Sequence, residues 1–192
     1  MFGSPLQGRT LAWHAVQDPP GGWPYSDGDQ NVAELFWSGE EGLVRAETGS
    51  EVWRVRVTGT FLLRAVVESP RLTPRLLYAG AFDRGLAQTL EGRGFVLFSQ
   101  LDRERGFWRG FDDEAGNAVL RMHDRVGGGT LWTEVRVTPE PVPGYSLPTL
   151  LLLWGGLRIL RLRRPWLGLL TAPVSERSTQ RALEALAATV GA

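Results

Sequence analysis

Arg158, Arg161, Arg163 and Arg164, followed closely by Trp166, form the densest group of chemically capable side chains in this chain. A guanidinium is charged throughout the physiological range, and its planar fork suits phosphate oxygens, carboxylates and aromatic faces. Next to an indole with an apolar body and a polar tip, such a group is fitted to an anionic partner: a phospholipid head group or a phosphate backbone. The same arginines also complement the negative end of a helix dipole, which is the plainer role.

The other polar clusters offer less. Asp112, Asp113 and Glu114 are consecutive, so on a strand their side chains alternate in direction and make no acid–base pair; at a hairpin tip they are solvated turn residues. His123 precedes Asp124, but no nucleophile stands at a recognisable spacing and there is no Gly-x-Ser-x-Gly elbow. His14 reads as a loop or surface histidine. Asp27-Gly28-Asp29-Gln30-Asn31 opens like a calcium loop, yet its sixth position is Val32, not glycine, and its twelfth is Ser38, not glutamate. Gly127-Gly128-Gly129 precedes a strand, not a helix, and so is no dinucleotide fingerprint.

Composition narrows the chemistry further. All 21 basic residues are arginine, and the chain has no lysine and no cysteine. Thiolate catalysis, disulfides, thiolate metal sites and Schiff-base chemistry are therefore excluded. No catalytic residue, metal ligand or cofactor is expected. The 21 arginines balance 21 acids, but unevenly: residues 145–192 hold six arginines against two acids. The C-terminal quarter is where an anionic partner would bind.

The elements that must position these residues are mostly strands. Trp53, Val55 and Val57 alternate with Arg54 and Arg56, and Leu131, Thr133, Val135 and Val137 alternate with Trp132, Glu134 and Arg136. Further strand patterns span 33–37, 43–47, 62–68, 76–82, 86–90, 95–100, 106–112 and 118–123, with Gly-, Asp- and Asn-containing turns between them. This spacing predicts an antiparallel closed barrel of about ten to twelve strands. Residues 1–31 read as an irregular N-terminal segment rich in Pro and Gly, in which 11–16 is one short strand or a helical turn. After the proline-rich stretch 139–144, a helix is expected over 147–162, capped by Ser146. Leu150 to Leu153 point in every direction around it, so it must be enclosed. Only about 11 to 14 apolar residues precede Arg158, short of the roughly 20 a membrane span needs. Residues 165–192 form an extension with an amphipathic helix over 175–190, its apolar stripe made by Ala182, Leu183, Leu186 and Val190.

Short antiparallel strands closed around one hydrophobic helix, with a hairpin over Phe107–Arg121 and the helix Leu147–Leu162, resemble the tubby C-terminal-like superfamily. That superfamily includes the LURP-one-related and phospholipid-scramblase-like domains. The resemblance covers roughly Val32 to Leu162. It implies a barrel wrapped around a central helix, in a superfamily with phosphoinositide-binding and lipid-associated members. It carries over no functional residue, and neither the first 31 residues nor the last helix has a counterpart in it.

The sequence thus leads us to expect a non-enzymatic binding or scaffold domain, mainly β. Its arginine-rich barrel rim (Arg158, Arg161, Arg163, Arg164, Trp166) would contact anionic phospholipid. The alternative is a single-stranded nucleic-acid-binding protein that uses aromatic and arginine residues on a sheet face, at Trp53–Arg56, Phe107–Arg109 and Trp132–Arg136. Against it, the pI of 6.8 lacks a basic footprint. The start of the chain has no apolar core behind a basic stretch, so a cytoplasmic location is expected.

Overall fold

The computed structural model describes residues 6–14, 22–38, 42–49, 51–102, 106–127, 130–140, 142, 146–167 and 175–190. The loop readings at 15–21, 39–41, 128–129 and 143–145 lie outside them. Among the described residues twelve strands are present: β1 Thr10–His14, β2 Trp23–Asp27, β3 Gln30–Trp37, β4 Leu43–Thr48, β5 Glu51–Thr58, β6 Leu63–Glu68, β7 Pro74–Gly80, β8 Gly85–Thr89, β9 Gly94–Asp102, β10 Gly106–Asp113, β11 Ala118–Gly127 and β12 Thr130–Val137. Each pairs antiparallel with its neighbours in sequence, and β1 pairs with β12 to close the barrel. That seam runs from Thr10 opposite Arg136 to His14 opposite Trp132.

The alternation visible in the sequence sets the two faces. Trp53, Val55 and Val57 on β5 are buried inside, while Arg54 and Arg56 face outward. The interior is filled by helix α1, Ser146–Arg163. Leu147, the leucines at 150–153, Trp154, Leu157, Ile159 and Leu160 are all buried. A helix that is apolar all round is stable in water only when enclosed, and this one is.

Helix α1 lies off the barrel axis, against the wall made by β3 to β7. Two glycines allow this. A Cβ on Gly156 would lie 2.8 Å from a Val55 methyl carbon, and one on Gly155 would lie 2.8 Å from a Leu35 methyl carbon. The Tyr25 hydroxyl donates to the Leu151 carbonyl at 2.7 Å, pinning the helix from β2. On the far side, large residues such as Trp13, Phe95, Phe111 and Met122 fill the gap between helix and sheet.

Helix α2, Glu176–Val190, packs outside. Its Ala182 and Leu183 cover Leu77 and Ala79, the outward residues of β7, so that strand is buried on both faces. The Ser175 hydroxyl caps it, accepting the Ser178 N–H at 3.2 Å.

The irregular reading of residues 1–31 is corrected: β1 and β2 are barrel strands. Each has only five residues, too few for alternation to stand out, and Pro24 speaks against a strand. Pro24 lies beyond the Ala12–Ser26 and Trp13–Tyr25 pairs that join β2 to β1, so its missing N–H breaks neither pair. The two strands supply the buried Leu11, Trp13, Trp23 and Tyr25.

Candidate binding site at the barrel mouth

One end of the barrel is built from the C-terminal ends of the odd-numbered strands and the N-terminal ends of the even-numbered ones, and α1 ends there. Its chemistry lies in two layers.

The inner layer centres on Asp124 of β11. Asp124 shares its strand face with the buried Leu120 and Met122, so it points into the barrel. Its Oδ2 accepts from Arg109 Nη1 of β10 at 3.0 Å. Its Oδ1 accepts from the Thr133 hydroxyl at 2.7 Å and from Arg158 Nη2 of α1 at 3.4 Å. Arg158 follows Trp154 by four residues and lies on the same helix face. Its guanidinium sits 5.7 Å from the ring centroids of both Trp13 and Trp154. The Arg109 guanidinium lies 4.6 Å from the Phe107 ring.

One carboxylate therefore serves two sheltered guanidinium groups. Burial alone would raise the Asp124 carboxyl, but the charge of Arg158, the Thr133 hydroxyl and Arg109 together hold it below the ordinary carboxylate range. Burial pulls Arg158 below its ordinary value; Arg109 and Arg161 add to this, while Asp124 opposes it. The cluster of Arg109, Arg158 and Asp124 has a formal charge of about +1 and gives the mouth a positive floor.

The outer layer continues from the end of α1. Arg161 and Arg163 are exposed and Arg164 is half-buried. The Arg163 guanidinium lies 5.2 Å from the centroid of Trp23, and that of Arg164 lies 6.0 Å from the centroid of Trp37. Each of these arginines thus rests on a tryptophan at the open end of a strand, a contact that orients the cation. Trp166 is 50% exposed beside them, held by a turn in which the buried Leu167 donates to the Arg164 carbonyl at 3.0 Å.

The five residues singled out by the sequence therefore gather at one end of the barrel but in different settings. Arg158 lies inside the mouth and is already ion-paired. Arg161, Arg163, Arg164 and Trp166 lie around its edge. Sequence reasoning missed their partners Trp13, Trp23 and Trp37 and the role of Asp124, and it named Arg109 only within the Phe107–Arg109 stretch of the nucleic-acid alternative. A signal for Arg109 existed: it alternates with Phe107 and Phe111 on the inward face of β10.

The remaining polar clusters have structural duties. Asp113 accepts the N–H groups of Ala115 and Asn117 in the β10–β11 turn, Glu114 accepts from Gly94 N–H, and Asp112 pairs with Arg121. These three lie at the opposite end of the barrel, where Asp113 and Glu114 border a cleft of about 300 Å³. Asp27 pairs with Arg9. His123 points away from Asp124 and stacks on Trp108 outside the barrel, their planes 17° apart. His14 Nε2 lies 3.4 Å from the Ser26 hydroxyl. Trp53 is buried while Arg54 and Arg56 face outward, and Phe107 and Arg109 face inward while Trp108 faces outward. Strands β5 and β10 therefore split their aromatic and arginine residues between two faces. Among the described residues, no helix is long and apolar enough to cross a membrane. No group of three or more His, Asp or Glu side chains among them is placed to hold a metal ion.

No family model, curated protein or solved structure matches this chain.

Proposed function

We propose that the chain is a binding domain that docks on anionic phospholipid with the open end of its barrel. The observation that carries this reading is the gathering of Arg161, Arg163, Arg164 and Trp166 at one edge, with two of the arginines laid over tryptophan rings. Pre-oriented guanidinium groups lose less freedom when they bind phosphate oxygens. The positive floor behind them repels a cationic partner and attracts an anionic one. Kinship with the tubby C-terminal-like superfamily and a cytoplasmic setting belong to the same proposal. Its support is the shared plan of a barrel around a hydrophobic helix.

Co-sedimentation with vesicles tests it. Recovery is expected to be greater on phosphatidylserine-containing vesicles than on pure phosphatidylcholine, and to fall as salt rises. Changing Arg161, Arg163 and Arg164 together to alanine removes about 1 kcal/mol per arginine near a charged surface, or about a hundredfold in partitioning. Equal recovery on both vesicle types would overturn the reading. Salt-sensitive binding of labelled single-stranded DNA with no vesicle preference would favour the nucleic-acid alternative instead.

A further inference from the structure

A second cleft, of about 310 Å³, opens at the base of the barrel, the end opposite the mouth, where β5 begins and β6 turns into β7. Glu51, Trp53, Ser69, Pro70, Arg71 and Arg75 line it. Ser69 continues the buried alternation of Leu63, Ala65 and Val67 and is 6% exposed. Among the described residues its Oγ has no hydrogen-bond partner. A sheltered hydroxyl left unsatisfied weakens a fold, so one that borders a cleft points to a partner from outside the chain.

Two local features bring arginines to the same place. The turn after β6 is held closed by the Leu72 N–H, which donates to the Ser69 carbonyl at 2.8 Å, and by the Ser69 N–H, which donates to the Thr73 carbonyl at 2.9 Å. Pro70 stiffens it. Leu72 takes a φ of 58°, a left-handed conformation that strains a bulky residue. This fixed turn carries Arg71. Arg75 arrives from β7 through a bulge: Val67 faces Leu76 while Glu68 faces Pro74, so Arg75 is the extra residue. The bulge breaks the alternation that would set Arg75 on the outer face with Leu77 and Ala79. The acid on the cleft wall, Glu51, accepts the Trp53 indole N–H at 3.4 Å. Two guanidinium groups against one carboxylate leave a formal charge of about +1 on the lining.

We propose that this cleft binds a small water-borne molecule through a phosphate or carboxylate group. Ser69 Oγ donates to one oxygen of that group, Arg71 and Arg75 meet the others, and Trp53 supplies an apolar wall for the rest of the molecule. Hydrogen bonds of this kind, with a charged acceptor, are the strong ones. The cleft volume is at the lower end of the range for small-molecule sites, so the molecule is a small one. A domain docked on a bilayer by its mouth keeps its base in water. The site is therefore separate from the one in the preceding subsection and does not depend on it.

Two-dimensional NMR of the isotope-labelled full chain tests it, by titration with sodium phosphate and separately with sodium acetate while chloride keeps the ionic strength constant. The amide signals of Ser69 and Arg71 and the indole N–H signal of Trp53 are expected to move and to saturate with at least one of the two anions. The anion that saturates identifies the class, phosphate or carboxylate. Ser69→Ala is expected to weaken that binding by about tenfold. Its urea midpoint should be equal to that of wild type or higher, because the change removes an unsatisfied hydroxyl. Arg71→Gln, at an exposed position, is also expected to weaken binding by about tenfold, with the fold unchanged. Changing Arg161, Arg163 and Arg164 together to alanine should leave the response at the base intact. Shifts that grow without saturating would overturn the site. So would saturating shifts confined to residues 158–166, which would leave the mouth reading standing. A Ser69→Ala variant that loses stability but not affinity would overturn it too, because the hydroxyl would then serve the fold alone.

Discussion

Trp154→Ala is expected to destabilise the barrel by about 3–5 kcal/mol, read from the midpoint of urea unfolding at constant slope. Trp154 is almost wholly buried in the middle of α1 and is the piece that fills the barrel between helix and seam. Its ring meets Trp13 edge-on, with centroids 5.5 Å apart, and lies 6.4 Å from Tyr25. Truncation opens a cavity that neither β1 nor α1 can close, since each is held by strand pairing or by the Gly155–Gly156 contact with the opposite wall. It also removes one of the two rings beneath Arg158. Trp154→Phe separates shape from polarity. Among the described residues the indole N–H has no hydrogen-bond partner, so phenylalanine forfeits volume but no bond. Its expected loss is less than half that of alanine. A cost below about 1 kcal/mol for alanine would mean that the helix is not tightly sheathed.

Asp124→Asn is expected to destabilise the fold by about 3 kcal/mol at neutral pH. Asparagine preserves the shape and the Thr133 hydrogen bond but leaves Arg109 and Arg158 facing each other without a counter-charge. The penalty comes from those two sheltered cations rather than from the lost attraction itself. Adding Arg158→Met to the Asp124→Asn variant should therefore restore part of the stability, as a double-mutant cycle would show. The pH dependence has a definite sign. The Asp124 carboxyl is held below its ordinary value in the folded chain, so the unfolded chain takes up this proton first as pH falls. Its stabilisation is complete above the unfolded carboxylate range, near pH 4, and is lost as pH falls through the folded value. Wild type and Asp124→Asn should accordingly converge in stability below about pH 4. A gap that stays constant into acid would mean that Asp124 is not the anion holding the two arginines.

The fold was legible wherever one residue pattern had one physical reading. Four successive leucines at 150–153 cannot lie on a wet helix, so the rod had to be enclosed. Strands such as β5 and β12 could be read because an apolar face alternated with a charged one, and others from short apolar runs set between turn residues. Strands β1 and β2 were harder: five residues and an internal proline carry too little pattern, and their role in closing the sheet depends on pairing with a strand more than a hundred residues away. The rim arginines were legible as cations at a helix end. That Arg158 would turn inward was implicit in its four-residue offset from Trp154, but its partner was hidden, because the apolar alternation of β11 stops at His123, one residue before Asp124. The exposure of Leu101, Phe107, Val126 and Leu131 was not legible, because all four fall at ordinary inward positions of their strands.

Closure of the sheet between β1 and β12 constrains the order of assembly. Helix α1 comes after β12 in the chain, and an 18-residue rod of bulky side chains cannot be threaded into a finished ring of strands. The sheet must therefore stay open as a curled ribbon until the helix lies along it. The seam between the first strand and the last then shuts over the helix. Such a ribbon presents two unpaired edges while it waits, the situation most exposed to mispairing between chains. Because the final contact joins distant parts of the sequence, folding of this domain is expected to be slow for its size.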